Sequence, residues 1–107
     1  MDGGGLAVSP EGKVVSAWRR GDEVFMVPAG GVETLLDKGR NPAIAAIAGG
    51  VFVAWSSSGG IRVRLPGRSE PMLLDDEGGY VHLAPLADGS VIAAWEHKGS
   101  IRFQIVR

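Results

Sequence analysis

Leu6-Ala-Val-Ser-Pro-Glu-Gly-Lys-Val-Val-Ser-Ala-Trp18 is a phrase this chain writes three times. It returns as Ile44-Ala-Ala-Ile-Ala-Gly-Gly-Val-Phe-Val-Ala-Trp55 and as Leu83-Ala-Pro-Leu-Ala-Asp-Gly-Ser-Val-Ile-Ala-Ala-Trp95. The tryptophans fall at intervals of 37 and 40 residues. A self-similar period near 40, built from short strands, is the signature of a β-propeller blade. The first strand of each unit is expected at 6–9, 43–47 and 81–86. Each is followed by a turn that ends in glycine (Gly12, Gly50, Gly89), where a positive φ is often required. The second strand, 13–18, 51–55 and 90–95, ends each time in Ala-Trp.

Six residues after each tryptophan a β-branched residue opens the third strand: Val24, Ile61 and Ile101. Ile61-Arg-Val-Arg-Leu65 and Ile101-Arg-Phe-Gln-Ile105 alternate apolar and polar side chains, as half-exposed strands do. Fourth strands are expected at 33–36 and 70–74, with Pro71 marking an edge because proline cannot donate into a central ladder. The third unit has no fourth strand, and Asp2-Gly-Gly-Gly5 is too glycine-rich to supply one. The blades therefore span about 5–38, 41–76 and 80–107 of a single domain, 1–107.

The second strands are almost continuously apolar, so they are expected to be buried on both faces between neighbouring blades. Ala17, Ala54 and Ala94 leave room for the neighbour. The tryptophans then belong to the contact between blades rather than to a sugar platform.

Composition agrees. The chain carries 17 glycines and six prolines in 107 residues, which suits tight turns and weakens helices. Hydrophobic residues make up 45%, enough for a core, and the formal net charge is −1. That balance offers no electrostatic case for nucleic acid or a membrane surface. Without cysteine there is no disulfide and no thiolate metal site. Met1-Asp-Gly-Gly-Gly5 lacks the basic and apolar runs of a secretory leader, and no run approaches 18 apolar residues, so neither a leader nor a membrane span is expected. The compartment stays open.

Three blades are too few to close a ring, since propellers hold about 4 to 8. Neither end unit is polar, so open end faces would be left bare. Two copies make six blades around a two-fold axis, a closed cyclic assembly. The fold expected is all-β, a three-bladed half-propeller completed as a homodimer.

The repeat pattern apolar-Ala-x-x-x-(Asp/Glu)-Gly-x-Val-x-x-Ala-Trp, followed by a short hairpin and Ile-Arg-(Val/Phe), resembles the repeats of sialidase-like propellers. These are also called bacterial neuraminidase repeats or Asp-box propellers. The resemblance covers nearly the whole chain. It implies an Asp box, Ser-x-Asp-x-Gly-x-Thr-Trp, between strands three and four. Here Val27-Pro-Ala-Gly-Gly-Val-Glu-Thr34 puts Ala29 at the box aspartate and Thr34 at the box tryptophan, and Leu65-Pro-Gly-Arg-Ser-Glu70 has lost the box too.

The resemblance also implies three arginines gripping a substrate carboxylate, a Tyr–Glu nucleophilic pair and an Asp acid/base. The single tyrosine, Tyr80, has Glu77 as its nearest carboxylate in sequence. Arg62 and Arg102 share one repeat position, which reads as a solvated strand face. No catalytic residue and no metal ligand set is assigned, and no cofactor is expected. His82, alternating with Val81 and Leu83 on a first strand, reads as a polar residue facing a central channel.

A ligand, if bound, belongs on the end of the propeller that carries the strand 2–3 turns and the links between blades. Those segments hold Arg19, Arg20, Asp22, Arg40 and His97, and with His82 they form the candidate set for a small polar or carbohydrate ligand. The function expected is a non-catalytic binding or scaffold propeller. The alternatives are a fragment or remnant of a glycoside hydrolase propeller, and a lectin-like propeller.

Overall fold

The computed structural model describes residues 3–107. Among them there is no helix, and every regular element is a strand. β1 (Gly4–Val8), β2 (Val14–Arg20), β3 (Glu23–Val27) and β4 (Thr34–Lys38) form the first sheet, in chain order. β5 (Arg40–Ile47), β6 (Gly50–Ser57), β7 (Gly60–Arg64) and β8 (Met72–Asp75) form the second. β9 (Gly79–Pro85), β10 (Val91–His97) and β11 (Ser100–Val106) form a third sheet of three. Every pairing is antiparallel. The three sheets do not close on themselves.

Turn chemistry explains the order. Gly12, Gly50 and Gly89 all have positive φ (81°, 134° and 86°), as their place at the end of each first turn requires. In the third of these turns the Asp88 carboxylate accepts from the Ser90 amide at 3.0 Å and from the Ser90 hydroxyl, which holds its pKa below the usual carboxylate range. The β10–β11 turn sets both Lys98 (φ 51°) and Gly99 (φ 80°) left-handed, the backbone of a two-residue hairpin matched to strand twist.

Burial follows the stacking of the sheets. In β6 every residue from Phe52 to Ser56 is buried, because a sheet lies on either face. In β2 and β10 burial alternates, as it must where only one face is covered. Val53 and Trp55 pack backwards against Ala17, Val24 and Met26 of the first sheet. Val91, Ala93 and Trp95 pack backwards against Phe52, Ala54, Ile61 and Val63 of the second. Each of these tryptophans therefore fills a cup made by the preceding unit, floored by its alanine. Trp55 and Trp95 are core residues; Trp18, which has no preceding sheet, is half-buried, and so is Ala94.

The fourth strands lie about two residues later than the sequence suggests. Glu33 stays outside β4, where Arg20 pairs with it, and Pro71 stops just short of β8. Both strands instead run on to an aspartate, Asp37 or Asp75, and both carry a bulge one residue before it. β5 also begins earlier than expected, at Arg40.

Candidate functional site

The two aspartates are positioned by these bulges. A bulge re-aims the side chain that follows it. Asp37 Oδ2 accepts from Trp55 Nε1 at 3.2 Å, and its other oxygen accepts from the Lys38 amide at 2.8 Å. Asp75 Oδ2 accepts from Trp95 Nε1 at 2.8 Å, and Oδ1 from the Glu77 amide at 3.1 Å. Trp55 and Trp95 are thus each packed by one sheet and tied by an aspartate at the end of that sheet's edge strand, the last residue of β8 and the last but one of β4. We call this contact a clasp.

The second clasp is more heavily built. His97 Nδ1 lies 2.7 Å from Asp75 Oδ2, and Arg102 Nη1 donates to the same oxygen at 3.4 Å. Asp75 is 4% exposed, while Arg102 is half exposed. The Trp95 indole, then the Glu77 amide and His97, hold the Asp75 carboxyl at about 2, against the penalty of its burial. The chain keeps that carboxylate ionised, with both oxygens spent on the clasp.

On the same end of the sheets a cleft of about 510 Å³ opens where the β2–β3 turn, the β4–β5 and β8–β9 links and the β6–β7 turn meet. Asp22, Arg40, Asn41, Ser57, Ser58 and Tyr80 line it. Asn41 and Tyr80 both hold φ near 50–55°, a costly backbone for non-glycine residues. Each lies in a bulge of its own first strand, Asn41 in β5 and Tyr80 in β9, and the bulge accounts for the left-handed backbone. Beneath them Ser56 Oγ is buried and, among the described residues, has no hydrogen-bond partner, a loss of about 1–3 kcal/mol unless one is supplied. The cleft offers hydroxyls, an amide, a carboxylate and a guanidinium to a polar molecule. These groups suit orientation of a ligand.

The six candidate residues separate. Asp22 and Arg40 meet in the cleft. Arg19 turns back to its own hairpin, donating to the Gly21 carbonyl at 2.6 Å. Arg20 pairs with Glu33 and lies over the Phe25 ring, 4.7 Å from its centre. His82 sits apart, in a groove of about 420 Å³ between the first strands, beside Leu6, Ile44 and Leu83. His97 belongs to the clasp.

Sequence reasoning passed over Asp75 and Asp37, which read as loop residues between units. The signal was present in Leu35-Leu-Asp37 and Leu73-Leu-Asp75, a second repeat running beside the tryptophans. It also took Arg102 for a purely solvated strand residue. No protein-family model, curated protein or solved structure matches this chain.

Proposed function

We propose that this chain is half of a six-bladed β-propeller, a non-catalytic scaffold or binding module that closes its ring with a second copy. The observation that supports this is the complementarity of its two ends. The cups that receive Trp55 and Trp95 are built by Ala17, Val24 and Met26, and by Ala54, Ile61 and Val63. At the same repeat positions the third unit carries Ala94, Ile101 and Phe103. Ile101 and Phe103 are 61% and 67% exposed, where Ile61 and Val63 are fully buried. The last sheet is a cup without a tryptophan, and Trp18 on the first sheet is a tryptophan without a cup.

Around them, Leu6, Val8 and Val14 at one end and Ile105 at the other are also bare. Large exposed apolar faces of this kind mark association surfaces. Head-to-tail contacts between different faces close into a ring when the rotation permits, and two copies give two identical junctions. The polar cleft on the loop side is the place we assign to a small polar or carbohydrate ligand.

Phe103→Glu tests the junction. It places a charge in the empty cup, and size-exclusion chromatography with light scattering is expected to show the mass falling to that of one chain. Glu70→Lys, on the exposed β7–β8 loop of the middle sheet, leaves the mass unchanged. A chain whose mass is indifferent to Phe103→Glu has no such junction.

A further inference from the structure

The free side of β11 is a second vacancy, distinct from the cup. β3 and β7 each carry a fourth strand on their outer side; among the described residues β11 pairs with β10 alone. The two strands that fill this position elsewhere share more than hydrophobicity. β4 reads Thr34-Leu-Leu-Asp37 up to its clasp and β8 reads Met72-Leu-Leu-Asp75. Their registers agree as well. Asp37 lies opposite Val24 and Asp75 opposite Ile61, the sixth residue after the tryptophan in each unit. Leu35 lies opposite Phe25 and Leu73 opposite Arg62, the seventh. Thr34 and Met72 lie opposite Met26 and Val63, the eighth. The bulged leucine between them, Leu36 or Leu74, packs into the core beside the next unit's tryptophan.

We infer that the edge of β11 is a binding slot for an extended polypeptide segment of sequence x-Leu-Leu-Asp, where x is threonine or methionine in the two internal copies, supplied from outside these 107 residues and added antiparallel to the strand. Both copies of the motif within the chain are already paired, so neither is available without unfolding its own sheet. The expected register sets the incoming Asp opposite Ile101, its first Leu opposite Arg102, and the residue before that Leu opposite Phe103. Main-chain hydrogen bonds supply affinity, and the bulged leucine and the aspartate supply selectivity. Seated so, the leucine covers part of the bare Ile101 and Phe103 surface. The aspartate stands where a tryptophan of a following unit is clasped, the partner that Trp18 lacks among the described residues. The inference rests on the internal repeat and not on ring closure.

A fluorescein-labelled peptide with the sequence of residues 69–77, Ser-Glu-Pro-Met-Leu-Leu-Asp-Asp-Glu, titrated with the unaltered chain, tests it. Saturable binding is expected by fluorescence anisotropy, with hydrogen-exchange protection of the amides of residues 101–104. A peptide with lysine in place of its second leucine is expected to bind at least tenfold more weakly, and one with proline in place of its first leucine not at all. Absence of saturable binding, equal binding of a scrambled peptide, or protection at β4 or β8 instead of β11 overturns the inference. The mass of the chain in the same samples separates the two readings. A single chain that binds the peptide at β11 contradicts the ring and keeps the slot; a dimer that ignores the peptide contradicts the slot and keeps the ring.

Discussion

Trp55 and Trp95 each do two things at once, and the two can be separated by substitution. The ring fills a cup in the preceding sheet, and the indole N–H closes a clasp on an aspartate at the end of that sheet's edge strand. Truncating a buried aromatic of this size costs about 3–5 kcal/mol. Trp55→Ala is therefore expected to lose that much in urea-induced unfolding, enough to unfold a chain of ordinary marginal stability. Asp75 adds a dependence on pH. Its carboxyl is held at about 2 in the folded chain against 3.8 for the free group. A lowered folded pKa stabilises above the unfolded value and is lost as pH falls through the folded one. The melting temperature should thus decline from about pH 4 towards pH 2. In Asp75→Asn the starting melting temperature is lower and this part of the decline is reduced. An acid limb of the same depth in the variant would show that the clasp does not carry it.

At the scale of elements, strand existence was largely legible and strand ends were not. The Ala-Trp phrase, the turn glycines and the alternation after Ile61 place three strands in each unit. The fourth strands slipped because their register depends on tertiary partners. Glu33 is drawn to Arg20, and the Leu-Leu-Asp segments are fixed by bulges whose purpose appears only when the next tryptophan is in place. The same reason hid the clasps: Asp37 and Asp75 act on residues 18 and 20 positions further along. The cleft was half legible. The sequence places the loops that form it at one end of the sheets, but the bulged, left-handed backbone at Asn41 and Tyr80 and the unpartnered Ser56 hydroxyl leave no mark in composition. One glycine tests the local geometry. At Gly60 (φ 114°) a Cβ would overlap the backbone of Asp75 and Asp76, beside the clasp, whereas at Gly12 (φ 81°) it would meet open space. Gly12→Ala is expected to cost about 1–2 kcal/mol from backbone conformation alone. Gly60→Ala should cost clearly more, read as the difference in denaturation midpoints; equal costs would mean that the β8 end does not sit against Gly60.

At the scale of the molecule, the gradient of burial carries the proposal. The middle sheet is closed on both faces, and each outer sheet is closed on one. Among the described residues, eight of the ten exposed large apolar side chains (Leu6, Val8, Val14, Leu35, Tyr80, Ile101, Phe103 and Ile105) lie on strands of the two end sheets. A repeat array of this kind is stabilised by each junction its units make, so a further junction should raise stability with protein concentration. The melting temperature is accordingly expected to rise across a hundredfold range of chain concentration, followed by circular dichroism. The most direct measurement is the mass of the unaltered chain in solution by sedimentation equilibrium. The ring predicts a single species at twice 11.2 kDa. A homogeneous species at 11.2 kDa, or an open series of larger aggregates, would contradict it.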